Sequence, residues 1–279
     1  MVSAPLRNCC GKEHQMQNKK SLLVISFGTS HENTRKLTIE AIENDLRNAF
    51  PDRAFYRAWT SGMIRSKLKK KGSLIVFSIQ EAIEQMVKDG VNDVLVQFTH
   101  VLKGEEYDRS IEVLKEAQER FDRLYIGEPL VSNVEDVAKL AGLIEKEYPL
   151  QNREILAMMG HGSARMAFPA YEKLQEQFIK DGFPGIVLGT VEFEPGIAPV
   201  LSYVKESKPQ KVTLAPLLVV AGDHALTDMA GEGPDSWKNR LLSEGPDVSC
   251  VLKGLGEYGT VRAMYVEHAR AALENGDRK

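Results

Sequence analysis

Residues 155–159, Ile-Leu-Ala-Met-Met, are apolar without interruption and run into Gly160-His161-Gly162-Ser163. A strand reads this way when helices cover both faces of its sheet, so that alternate side chains meet apolar partners above and below. A helical pattern begins near Ala164. This strand–turn–helix unit belongs in a parallel sheet, whose carboxyl edge is where open α/β folds bind ligands. The two glycines allow a sharp turn and the close approach of a bulky ligand. A single histidine in such a turn is also compatible with an ordinary turn, so its meaning depends on the rest of the chain.

The same unit recurs along the chain. Strands are expected at residues 22–27, 54–58, 94–98 and 124–126, and again at 155–159, 186–188, 212–220 and 248–252. Helices are expected at 32–50, from Met63, and at 79–87, 108–121, 134–148, 170–179 and 261–273. The first of these carries Leu37, Ile39, Ile42, Leu46 and Phe50 at helical spacing and stops at Pro51-Asp52. The alternation predicts an α/β fold of parallel sheets flanked by helices. The two halves also correspond. An offset of 133 places Gly28-Thr29-Ser30 on His161-Gly162-Ser163, and offsets of 130 and 118 place Gly62 on Glu192 and Glu106 on His224. A duplication into two similar lobes, 20–150 and 151–279, with a cleft between them, accounts for this. Residues 1–19 form a polar, glycine-containing leader expected to be disordered.

Composition excludes several classes of partner. The chain has a formal charge of −3, 43% apolar residues and no apolar run long enough for a membrane span. No nucleic-acid or membrane partner is indicated. The basic run at 67–71 reads as a solvated helix end. Cys9, Cys10 and Cys250 show no metal-type spacing, which fits a reducing compartment and a cytoplasmic protein. A homo-oligomer is compatible with all of this.

Three strand ends of the second half carry a metal-ligand type: His161, Glu192 and His224. Strand ends of one parallel sheet share an edge, so the three can converge. Two imidazoles and a carboxylate suit Co2+, Ni2+, Fe2+ or Zn2+. The first-half counterparts Gly28, Gly62 and Glu106 lack the imidazoles, which leaves one such site per chain. Each residue also has an ordinary explanation: His161 as a helix cap, Glu192 (beside Glu194) as a surface acid, His224 as a loop histidine bonded locally. His100 also ends a strand and is a candidate cleft wall, as is His31 near the first loop; His14 and His268 look peripheral.

Ser26-Phe27-Gly28-Thr29-Ser30, Thr60-Ser61-Gly62-Met63-Ile64, His100 with Gly104-Glu105-Glu106-Tyr107, and Met159-Gly160-His161-Gly162 occur in that order. Ala221-Gly222-Asp223-His224-Ala225, Asp228-Met229-Ala230 and Asp235-Ser236-Trp237-Lys238 follow. Together these stretches resemble the anaerobic sirohydrochlorin cobaltochelatases of the CbiK type, over nearly the whole chain beyond the leader. The resemblance implies a class II chelatase fold and ATP-independent insertion of Co2+ into sirohydrochlorin on the route to cobalamin. It also implies a metal held by His161, His224 and Glu192, the set that the strand ends select. An imidazole can accept a pyrrole proton near neutral pH; His161 is assigned that task, with Glu192 taking the second proton.

Sirohydrochlorin carries eight carboxylates, and backbone N–H groups and hydroxyls at helix starts suit such anions. Thr29, Ser30, Thr60, Ser61, His100 and Ser163 are the candidates, aided by Arg57 or Arg65; ordinary N-capping explains the hydroxyls equally well. No Gly-rich loop ending in Gly-Lys-Ser/Thr is present, which is consistent with a reaction that does not use ATP. The competing readings are a chelatase for Fe2+ or Ni2+, a two-lobed metal or tetrapyrrole carrier without turnover, and a zinc hydrolase.

Overall fold

The computed structural model describes residues 19–164 and 169–276. The leader expected to be disordered lies outside these apart from Lys19, as do Cys9, Cys10 and His14. The first lobe runs β1 (Lys20–Ser26), α1 (Glu32–Leu37), α2 (Ile39–Ala49), β2 (Ala54–Trp59), α3 (Gly62–Lys70), α4 (Ile79–Lys88), β3 (Asp93–Phe98), α5 (Glu105–Glu116), β4 (Arg123–Gly127) and α6 (Val134–Glu147). The second runs β5 (Glu154–Gly160), α7 (Ala170–Lys180), β6 (Ile186–Thr190), α8 (Ala198–Ser207), β7 (Lys211–Leu217), α9 (Trp237–Leu242), β8 (Asp247–Cys250) and α10 (Gly259–Gly276).

Each lobe holds one four-stranded parallel sheet, in the orders β2-β1-β3-β4 and β6-β5-β7-β8. The same order twice is what two similar lobes predict. In β3 every residue is buried, and in β5 every residue after Glu154, because helices cover both faces. The helices form on amphipathic stripes with capped starts. In α4, Ile79, Ala82, Ile83 and Met86 face the core, and Ser78 and Glu81 form a reciprocal capping box. In α6, Asn133 accepts from the backbone of Glu135 and Asp136. Each fully buried Leu or Ile on such a stripe contributes roughly 1.5–3 kcal/mol.

Several elements depart from the sequence expectation. The helix expected at 32–50 breaks at buried Thr38, whose hydroxyl donates to the Thr34 carbonyl at 2.6 Å. α5 starts at Glu105 rather than Asp108, so its first turn holds Glu105, Glu106 and Asp108, a charge pattern the helix dipole favours. β7 ends at Leu217, and its continuation bends to receive the backbone of Leu255 and Gly256 at Leu218 and Val219. α8 and α9 were not anticipated; Ser236 caps α9 through the Asn239 N–H, and Trp237 anchors it at 4% exposure.

The last helix departs most. α10 follows the second lobe in sequence but packs on β3, β4 and α2 of the first. The crossing is made at Gly256, where a Cβ would lie 2.9 Å from the Thr38 side chain and 3.2 Å from Ile42. The helix break at Thr38 is thus where the returning chain crosses. One apolar cluster runs through both lobes, from Leu22, Ile42 and Leu95 to Leu156, Met158 and Tyr265. Among the described residues, no helix is long and apolar enough to cross a membrane.

α10 is also held by a titrating group. The His268 ring meets Asp136 Oδ1 at 3.0 Å and the Glu128 carbonyl at 3.1 Å. Burial alone would lower the imidazole pKa, but the hydrogen bond and charge of Asp136 with the help of Glu128 leave it raised. A raised folded-state pKa gives stability that is complete below the ordinary histidine value and is lost as pH climbs through the folded one. Urea unfolding should therefore show His268→Gln costing about 1–2 kcal/mol near pH 6 and less near pH 8. An equal cost at both pH values would contradict this role.

Candidate metal centre

The site is built on the register of β5. Its last residue, Gly160, pairs with Thr190 of β6 on one side and Leu217 of β7 on the other. The three chains therefore leave the sheet at one level. The β5–β6 ladder continues past the strands: Val191 N–H donates to the Gly160 carbonyl and Glu192 N–H to the His161 carbonyl, both at 2.9 Å. That bond sets Glu192 beside His161.

Both glycines are required by close approach. Gly162 has φ +86°, and a Cβ there would lie 2.0 Å from the Glu192 carbonyl oxygen. A Cβ on Gly160 would lie 2.4 Å from the ring of Tyr171. The buried Tyr171 hydroxyl accepts from Gly162 N–H at 3.2 Å and braces the turn from below. On the β6 side, the Thr190 hydroxyl donates to the Phe193 carbonyl at 2.8 Å and accepts from Gly196 N–H at 3.0 Å. The loop holds Phe193 at φ +63°, a conformation non-glycine residues seldom adopt.

His224 opens a short π-type turn, Ala225–Met229, in which Ala230 N–H reaches the Ala225 carbonyl. Such wide turns recur at functional sites. Its Nδ1 lies 2.7 Å from Asp228 Oδ2. An ionised carboxylate only accepts, so this contact places the imidazole proton on Nδ1 and leaves the Nε2 lone pair available. That Nε2 lies 3.6 Å from Glu192 Oε1. His161 stands across from it, ring centroids 5.2 Å apart and planes 80° apart. Its Nδ1 faces the Gly162 carbonyl at 3.2 Å, which likewise leaves Nε2 outward.

One ligand atom from each of His161, Glu192 and His224 lies within 4.8 Å of the others. Ligands around a single tetrahedral divalent cation, bonded at about 2.0–2.1 Å, are about 3.3 Å apart. The His224–Glu192 separation is nearly there already, and small side-chain rotations close the rest. Glu192 is about half exposed, so the cluster opens on one side.

The remaining candidates lie on the loops that follow β1, β2, β3 and β5. Thr29 is buried and its hydroxyl accepts from His31 N–H at 3.2 Å; Ser30 is half-buried. Ser61 caps α3 through Ile64 N–H, while the Thr60 hydroxyl is buried without a partner among the described residues. Ser163 reaches across the lobes to Glu105 N–H at 3.4 Å. His100 has both ring nitrogens buried without hydrogen-bond partners among the described residues, its ring edge-on to Phe98, and burial pushes its pKa down to about 4. The residue as a whole is half-buried, and the burial of its ring nitrogens keeps the imidazole neutral. Arg57 is paired with buried Glu43, and Arg65 with the exposed Glu81 at 3.2 Å. Glu194 is exposed.

One participant and one pairing were missed. Asp228 follows His224 at the i, i+4 spacing that brings side chains together on a helical turn, a signal present in the sequence. His31 Nε2 lies 2.6 Å from Asp223 Oδ1, and that bond holds the Asp223 carboxyl below its usual range. It joins the first lobe to the residue before His224, a pairing that no local pattern announces.

Comparison with known proteins follows the same lines. The profile of the cobalt chelatase (CbiK) family matches residues 20–274. A sirohydrochlorin cobaltochelatase of Salmonella typhimurium is 38% identical over 256 residues, 91% of this chain and 97% of that protein. A sirohydrochlorin cobaltochelatase of Nitratidesulfovibrio vulgaris is 28% identical over 270 residues, covering 94% and 93%. Among solved structures, SirB from Bacillus subtilis with Fe3+ superposes with a TM-score of 0.64 at 15% identity, covering 94% of this chain and 98% of that one. At that identity the likeness is one of fold.

Asp228 generates a direct expectation. Asp228→Asn keeps the size of the side chain but removes the charge that fixes the His224 proton. Anaerobic Co2+ titration should find affinity about 10–100-fold weaker. Affinity equal to wild type would show that Asp228 does not orient a ligand.

Proposed function

The chain belongs to the cobalt chelatase (CbiK) family, and on that premise we propose that it inserts Co2+ into sirohydrochlorin at His161, Glu192 and His224. The observation that carries the residue assignment is the convergence of three ligand atoms, one from each of three strand ends, within 4.8 Å. Two imidazoles and a carboxylate suit Co2+ and leave coordination positions free.

The reaction forms four Co–N bonds and breaks two pyrrole N–H bonds, releasing two protons. Hydrated Co2+ exchanges part of its water for the three side chains. The open side of the cluster faces the cleft between the lobes, where the macrocycle lies. His224, oriented by Asp228, stays on the metal. His161 presents an unprotonated Nε2, so it gives up its hold on the ion and takes the first pyrrole proton. Glu192 offsets the charge of the ion on entry and takes the second proton as the metal moves into the ring. Because each base is also a ligand, deprotonation and metal release are coupled.

A spectroscopic insertion assay with sirohydrochlorin and Co2+, without ATP, tests this. His161→Ala and His224→Ala should each lower turnover by about 100-fold or more, with unchanged unfolding curves. Glu192→Gln should lower kcat more than it raises KM for the tetrapyrrole. Near-normal insertion by either histidine variant would remove that residue from the site. A Glu192→Gln effect confined to KM would place Glu192 in the cleft rather than on the metal.

A further inference from the structure

The basic run in α3 divides into two faces once the helix is in place. Leu68, 3% exposed, clusters with Ile39, Trp59 and Val76, and Ile64 and Val220 pack against that cluster. Val220 belongs to the second lobe, four positions before His224 in sequence. The apolar cluster beneath α3 therefore reaches the loop that carries a proposed metal ligand. On the outer face, Met63, Ser66, Lys67 and Lys70 stand at i, i+3, i+4 and i+7 and form one stripe. With Gly62 they line an open hollow of about 520 Å3.

Two features separate this stripe from an ordinary solvated helix face. Met63 is 83% exposed, a large apolar side chain set among cations. Neither lysine has a carboxylate within ion-pair distance among the described residues, whereas the neighbouring Arg57 and Arg65 are both paired with glutamates. The stripe also borders the metal loop: Lys67 lies near enough to Asp223, the residue before His224, to act on its charge.

We propose that Met63, Ser66, Lys67 and Lys70 receive an acidic edge of the tetrapyrrole, the methionine against the ring and the lysines on its carboxylates. This rests on the substrate reading above and adds to it the groups that select a polycarboxylate. Charge complementarity makes the argument. A chain of net charge −3 repels a polyanion on average, so local unpaired cations beside the cleft are needed to draw one in. Lysines serve as flexible point charges that reach acid arms of different length.

The test is a Lys67→Gln/Lys70→Gln double variant beside the Lys67→Arg/Lys70→Arg pair, in the full chain. In the insertion assay the Gln pair should raise KM for sirohydrochlorin about tenfold, leave kcat and the KM for Co2+ within about twofold, and flatten the salt dependence of KM. The Arg pair should restore most of the loss. Metal-free binding, read by quenching of sirohydrochlorin fluorescence, keeps this proposal separate from the reaction itself. If the Gln pair binds like wild type, or the Arg pair binds as poorly as the Gln pair, the stripe is not the acid-binding edge, whether or not cobalt is inserted. If binding depends on the lysines but wild type inserts no cobalt, the stripe stands and the chelatase reading falls.

Discussion

The parallel pairing of β5 with strands on both sides is the constraint on which the site depends. Gly160 is level with Thr190 and with Leu217, so three loops start at the same height on one edge. The bond from Glu192 N–H to the His161 carbonyl extends that registration beyond the sheet. Side chains from positions 161, 192 and 224 meet because the backbone leaves them little choice. Gly162 marks the tolerance: a single added carbon would overlap the Glu192 carbonyl. A site fixed in this way can hold ligand separations near those of a metal complex before any metal arrives, which is the preorganisation that metal transfer requires.

The two lobes do not meet as independent bodies. α10 returns to the first sheet, Gly256 lets its chain pass against Thr38 and Ile42, and one apolar cluster runs through both halves. Around the cleft, smaller contacts cross the gap: His31 with Asp223, Ser163 with Glu105, Val220 with the cluster of Ile39, Trp59, Leu68 and Val76. The His224 loop is thus steadied from the first lobe although it belongs to the second. Below it the shared core is firm, while the half-exposed Glu192 leaves the opening free. A macrocycle needs such an arrangement, with the proposed ligands at the floor and an accessible mouth.

The architecture was legible because buried parallel strands write themselves as apolar runs closed by glycine, and such strands put their turns on one edge. His161, Glu192 and His224 could be chosen on that ground alone. Residues whose role depends on distant partners were not legible. Arg57 reads as a free cation until Glu43, buried on α2, appears beside it. His100 ends a strand like His161 but turns its ring inward, and nothing local distinguishes the two. Ser61 reads equally as an anion binder and as a cap, and its hydroxyl is engaged by Ile64. The path of α10 depends on packing at Thr38, more than two hundred residues earlier in the chain. Asp228 is the opposite case: its spacing from His224 was in plain view, and only the π-type turn gave it meaning.

The central claim is that two imidazoles and one carboxylate from separate strand ends share a single cobalt ion. X-ray absorption at the cobalt edge, on anaerobic protein loaded with one equivalent of Co2+ and no tetrapyrrole, measures this directly. The account predicts nitrogen and oxygen neighbours at about 2.0–2.2 Å, with outer-ring scattering from two imidazoles that falls to one in His161→Ala. Cobalt without imidazole scattering, or a spectrum that His161→Ala leaves unchanged, would contradict it.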